Sequence, residues 1–161
     1  MASFIPRRSY PTAALSSIPR SYYLGHHAAG LSKMKSLLSS IDLIIECRDY
    51  RTPFTSHNRL FEEHLGERPR LVVYTKQDLG STYTAADHDR DAIITKWLRP
   101  TPVMFGSIHA RSDINKILTY VKAFADERKS LFPMQMMVVG MPNVGKSSLL
   151  NVLRNQSLHK G

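Results

Sequence analysis

Apolar positions in this chain gather in short runs separated by longer stretches with helical spacing. Ile41 to Cys47 (IDLIIEC) is one such run, bounded by charge, and Leu71 to Tyr74 (LVVY) is a second. Both have the length of a buried strand. A third, Val103 to Phe105, follows the punctuation of Pro100 and Pro102, and a fourth is Met136 to Val139. Between them, spacing predicts helices over Ala28 to Ser39, around His57 to Leu65, from Ala85 to Leu98, from Asp113 to about Lys129, and onward from near Lys146. Ser112 or Asp113 is expected to cap its helix by accepting a backbone N–H. Strands alternating with helices predict a parallel sheet covered on both faces, an α/β fold of three layers. No internal repeat or low-complexity tract interrupts this pattern.

Composition narrows the picture. With 161 residues, 42% of them hydrophobic, the chain can bury one main core. No stretch approaches the roughly 20 consecutive apolar residues of a membrane-spanning helix, so any membrane attachment is expected to be peripheral. The single cysteine, Cys47, excludes an internal disulfide, and without companion ligands it reads as a core thiol. The formal charge of +9 is uneven: Arg7, Arg8, Arg20, Lys33 and Lys35 all precede the first acidic residue, Asp42. An opening segment rich in Ser, Arg, Ala and Tyr and free of acid has the composition of a mitochondrial transit peptide, here assigned to residues 1–22. A basic disordered arm is the competing reading, and Pro6, Pro11 and Pro19 leave room for only a short helix.

The candidate chemistry begins at Gly140. G-M-P-N-V-G-K-S, Gly140 to Ser147, matches every position of the P-loop pattern and lies between an expected strand and an expected helix, as that motif requires. Its glycines let the backbone wrap closely, so that N–H groups from about Asn143 through Val144 and Gly145 to Ser147 can point at phosphate oxygens near a helix N-terminus. Lys146 is expected to supply a cation to the β- and γ-phosphates. Ser147 is expected to place its hydroxyl on Mg²⁺, with Ser148 a further donor.

The base must be read elsewhere. Directly after LVVY stands Thr75-Lys76-Gln77-Asp78, at the end of a parallel strand, where open α/β sheets bind ligands. The Asp78 carboxylate can accept two hydrogen bonds from the ring N–H and exocyclic amine of guanine, a donor pair adenine lacks. Lys76 would lay its alkyl stem along the base. A buried carboxylate left unpaired is costly, which is how such a site rejects adenine. Gly106-Ser107-Ile108-His109-Ala110, after VMF, offers Ser107 and its following N–H groups to buttress guanine, or else is an ordinary turn. These segments point to GTP or GDP, and they precede the phosphate loop.

T-K-x-D, a serine turn and G-x-P-N-V-G-K-S-S in that order, preceded by R-D-Y-R-T-P-F-T-S-H-N, resemble the circularly permuted ribosome-biogenesis GTPases. Gly25-His26-His27 and the basic leader resemble a mitochondrial member of that family. The resemblance covers about Tyr23 to Gly161. It implies a permuted P-loop GTPase fold over residues 23–161, GTP hydrolysis, and assistance to assembly of the mitochondrial large ribosomal subunit, with its rRNA and proteins, in the matrix. Peripheral association with the inner membrane is left open. It also implies that Asn143 helps hold K⁺ beside the phosphates. Asp49, Arg51 and Pro53, with Asn58 after them, match a family hallmark; Asp49 and Arg51 are expected to pair and pin their loop, a structural role.

Thr75 departs from the asparagine of many relatives, removing one amide near the base. The family's switch threonine, its D-x-P-G segment and its C-terminal domain lie downstream of the P-loop, and this sequence stops at Gly161. The expectation is therefore a partial domain with an incomplete sheet, the P-loop strand forming an apolar edge. Two other readings stay open: a non-hydrolysing nucleotide-binding or interaction module, and an ATP-dependent P-loop enzyme.

Overall fold

The computed structural model describes residues 36–57, 65–82 and 84–158. The leader, Gly25-His26-His27, Asn58, most of the expected helix before Ser39 and nearly all of that between His57 and Leu65 lie outside the described residues. The chain divides into two units between Ser39 and Ser40. Of the first, only a helical turn, Ser36 to Leu38, and Ser39 are described.

The second unit is built on four parallel strands: β1 Leu43–Asp49, β2 Arg70–Thr75, β3 Val103–Phe105 and β4 Met136–Gly140, in the order β3-β2-β1-β4. Its helices are α1 Gln77–Gly80, a single turn, α2 Ala85–Trp97, α3 Arg111–Glu127 and α4 Lys146–Leu158. β1 is central, paired with β2 on one side and β4 on the other, so all seven of its residues are buried. Burial on both faces is what a near-continuous apolar run achieves in a parallel sheet.

Alternate β1 residues face opposite layers. Leu43, Ile45 and Cys47 join Leu71 and Val73 in a core closed by Ile114, Ile117 and Val121 of α3 and by Leu149 and Leu153 of α4. The three- and four-residue spacings of those helical positions line one face of each helix. On the opposite side, Val72, Tyr74 and Tyr50 pack with Ile94 of α2. The result is the expected three-layer arrangement.

β1 starts at Leu43 and not Ile41, the single turn α1 has no counterpart in the expected elements, and two further boundaries differ for a clear physical reason. β1 runs through Arg48 and Asp49 rather than stopping at Cys47, because the charges at Glu46 and Arg48 satisfy each other inside the protein: Arg48 Nε donates to Glu46 Oε1 at 2.7 Å. α3 starts at Arg111, after Ala110, with no side-chain cap from Ser112 or Asp113. Asp113 is instead drawn back to the turn before the helix, where its Oδ2 accepts the Ser107 N–H at 3.1 Å. β4 is, with β3, one of the two outer strands among the described residues, and Met136 at its start is 45% exposed.

Candidate functional site

In a parallel sheet all strands end on the same edge, so the segments after β1, β2, β3 and β4 converge there. They are, in turn, the Asp49-Arg51 loop, the Thr75–Asp78 turn, the Ser107 turn and the phosphate loop.

The phosphate loop leaves β4 where Gly140 lies opposite Cys47 in the strand register. Gly140 has φ 146°, and a Cβ there would stand 2.3 Å from the Cys47 carbonyl oxygen, so only glycine fits. The loop then turns through positive φ at Asn143 (63°) and Gly145 (93°) before α4 starts at Lys146. Val144 is buried in the core with Leu149, anchoring the loop from beneath, while Asn143, Ser147 and Ser148 are exposed. Lys146 Nζ donates to the Met141 carbonyl at 2.7 Å, holding its ammonium across the loop. Cys47, under this loop, is fully buried, and burial pushes its thiol up to about 12, with the Lys146 charge opposing the shift. That is a core thiol, as expected from the sequence.

The turn after β2 is bound directly to the phosphate loop. Thr75 is 2% exposed, and its hydroxyl lies at 2.5 Å from the Val144 carbonyl and 3.2 Å from that of Arg48. Lys76 adopts the left-handed conformation, φ 61° and ψ 32°, and its Nζ donates both to Asp49 Oδ2 at 3.0 Å and to the Asn143 carbonyl. A Cβ on Gly145 would come within 3.4 Å of Thr75 Oγ1, so Gly145 also lies against Thr75. Asp78 lies in α1 and is exposed. Thr75 therefore has work that an amide in its place would do differently: its hydroxyl braces β1, β2 and the phosphate loop together.

The third turn is held by its own polar groups. Ser107 is 5% exposed; its Oγ accepts the His109 N–H at 3.1 Å, and its carbonyl accepts the Ala110 N–H at 3.1 Å. Its hydroxyl oxygen thus shapes the turn. The turn meets the Thr75–Asp78 segment where Gln77 N donates to the Gly106 carbonyl at 3.3 Å.

Asp49 and Arg51 pair as expected: Arg51 Nε to Oδ1 at 3.0 Å and Nη2 to Oδ2 at 2.8 Å, the two-pronged geometry that guanidinium favours. The Arg51 guanidinium, with Lys76 beside it, holds the Asp49 carboxyl well below the usual carboxylate range.

The structure thus brings Thr75, Lys76, Asp78 and Ser107 to the same sheet edge as Asn143, Val144, Gly145, Lys146, Ser147 and Ser148. Two contributors escape a sequence reading. Asp113 braces the Ser107 turn from six residues away, an offset with no motif. Asp49 reaches Lys76 because the β1–β2 register sets Asp49 opposite Thr75, a relation visible only once the pairing is known.

Residues 135–160 match the family model described as a 50S ribosome-binding GTPase. The chain is 38% identical over 148 residues to mitochondrial ribosome-associated GTPase 1 of Mus musculus, covering 87% of this chain and 44% of the relative. It is 31% identical to mitochondrial GTPase 1 of Schizosaccharomyces pombe, covering 98% of this chain and 52% of the relative. The chain therefore spans about half the length of these curated relatives. Among solved structures, the GDP-bound structure of TM YlqF superposes with a TM-score of 0.55 at 18% identity, over 77% of this chain and 48% of that one, which shows the same fold.

Proposed function

We propose that this chain, a member of the circularly permuted P-loop GTPases, binds GTP and GDP across the sheet edge and belongs to a GTP-hydrolysing protein that assists assembly of the mitochondrial large ribosomal subunit. One observation carries the nucleotide reading. Thr75 and Lys76 are tied to the carbonyls of Val144 and Asn143, residues 69 and 67 positions away, so that the base-side turn and the phosphate loop form one continuous surface. A base seated at Asp78 and phosphates seated at Asn143 to Ser148 can then belong to one ligand.

In this reading Asp78 accepts the two guanine donors, Lys76 packs its stem on the base, and the Ser107 turn closes the far side. Val144, Gly145 and Ser148 line the phosphates, and Lys146 leaves the Met141 carbonyl for the β- and γ-oxygens. Ser147, exposed in the first turn of α4, suits Mg²⁺, which takes oxygen ligands and retains water beside phosphate. No cluster of three or more acidic, His or Cys side chains that could hold a metal occurs among the described residues, so such an ion would depend on the nucleotide. Mg²⁺ bound there would supply charge neutralisation at the β- and γ-phosphates. The exposed Asn143 side chain is the candidate ligand for K⁺ on the same side.

Residues 1–22 are proposed as a mitochondrial transit peptide and 23–161 as GTPase domain, acting in the matrix, with contact at the inner-membrane surface as a further possibility of place. Support comes from the acid-free basic leader, the names of the relatives and the +9 charge, which suits an RNA-rich particle. No described helix is long and apolar enough to cross a membrane.

The test is competition. Labelled GDP should be displaced by GTP and not by ATP at like concentration, and Asp78→Asn should shift preference toward xanthine nucleotides, whose extra ring carbonyl suits an amide donor. Equal displacement by ATP would sink the guanine assignment. Binding to large-subunit particles should be salt-sensitive and stronger with a non-hydrolysable GTP analogue than with GDP.

A further inference from the structure

Lys76 combines two costs. Its backbone sits in the left-handed region that residues with a Cβ seldom occupy, and its long stem has many rotamers to lose if it is to lie in one place. Both are borne by contacts outside its own turn. The ammonium is held between Asp49 Oδ2, at 3.0 Å, and the Asn143 carbonyl.

Asp49 is itself tightly placed. It is the last residue of β1, 7% exposed, and both of its oxygens are used. Oδ1 accepts the Arg51 backbone N–H and Nε, each at 3.0 Å; Oδ2 accepts Arg51 Nη2 at 2.8 Å and Lys76 Nζ at 3.0 Å. The loop it begins closes on its own carbonyl, which accepts the Thr52 N–H at 3.1 Å and the Ser56 hydroxyl at 3.4 Å. Arg51 also packs under the far end of α1: a Cβ on Gly80 would stand 2.8 Å from Arg51 Cγ. Both ends of the turn that carries Asp78, Lys76 before it and Gly80 after it, therefore rest on the Asp49-Arg51 pair.

We propose that Asp49 is a positioning residue of the nucleotide site, holding the Lys76 stem in the orientation the base requires and linking that grip to the loop that follows β1. This goes beyond pinning the loop, and it rests on the reading that the site takes a guanine nucleotide. Preordering a flexible lysine removes an ordering cost that binding would otherwise bear. The effect belongs to the face of the base and not to its edge groups, so it is indifferent to the exocyclic amine that Asp78 reads.

The experiment is a titration of the full chain with fluorescent GDP and with inosine diphosphate, alongside thermal melting. Asp49→Ala and Lys76→Ala should each weaken GDP binding on the order of tenfold, and the double variant should stay within about twofold of Lys76→Ala, because the two act as one unit. Inosine diphosphate should weaken in the same proportion, whereas Asp78→Ala should lose GDP preferentially. Asp49→Asn keeps the shape and one acceptor oxygen; it should fall between wild type and Asp49→Ala, and it carries the same comparison where the alanine variant does not fold. Losses that multiply in the double variant, or a lowered melting temperature with unchanged affinity, would overturn the inference. Failure of the unaltered chain to bind GDP would strike the underlying nucleotide reading instead.

Discussion

The two faces of the sheet solve the same burial problem in opposite ways. Toward α3 and α4 the strands present Leu43, Ile45, Cys47, Leu71 and Val73, an apolar layer with Asp49 and Thr75 only at its C-terminal end. Toward α2, β1 presents Glu46 and Arg48, 1% and 0% exposed, and Arg70 Nη1 completes the pair by donating to Glu46 Oε2 at 3.1 Å. Around them the aromatic groups are ordered by polar contacts as well as area: Tyr74 stacks on Phe105 at 5.4 Å between centroids, and the Arg90 guanidinium sits 4.2 Å above the Tyr50 ring. The dry face is tolerant of exchange between apolar side chains of like volume. The charged face is not, since removing one partner leaves another charge in the interior.

The comparison breaks hardest at Glu46. Glu46→Ala should destabilise the fold by about 3–5 kcal/mol in urea unfolding, because Arg48 stays buried without its carboxylate. Replacing both together, Glu46→Leu with Arg48→Met, should recover most of that loss; if it does not, the pair contributes more than mutual compensation. On the dry face, Ile45→Val one residue away should cost only about 0.5–1.5 kcal/mol in the same measurement. A loss there equal to that at Glu46 would erase the distinction between the faces.

A smaller effect should appear with pH. Asp49 is held below its unfolded value, near 3.9 for a free aspartate, first by Arg51 and then by Lys76. A depressed carboxylate contributes fully above its unfolded value and loses that contribution as pH falls below it toward the folded one. Unfolding free energy should therefore hold from pH 7 to about 5 and decline below about 4, with a shallower acid decline in Asp49→Asn.

Where hydrophobic period dominates, the sequence foretells the structure well. The strands after Pro102 and before Gly140 lie within a residue of expectation, and α3 shows the predicted apolar stripe at Ile114, Ile117 and Val121. The loop from Gly140 and the T-K-Q-D turn fall at strand ends where their local motifs put them. What a linear reading misses is where one segment acts on another. Glu46 and Arg48 look like a strand boundary until their mutual neutralisation is seen. Asp113 looks like a helix cap until the Ser107 N–H, brought near by the Gly106 turn, claims it. Asp49 looks like a partner for Arg51 alone until β1 and β2 are in register.

The tie between Thr75 and Val144 spans 69 residues of chain, and it has a consequence for how the protein is made. Contacts between distant segments form only after the intervening chain has been gathered, which makes them late events in folding. As the polypeptide emerges during synthesis, the turn that carries Asp78 is exposed well before the loop it must grip exists. On the proposed reading, nucleotide can meet both the base-side turn and the phosphate loop only when β4 has joined β1. Acquisition of ligand would report the pairing of β4 with β1, and a nascent chain halted before Gly140 should show no affinity for it.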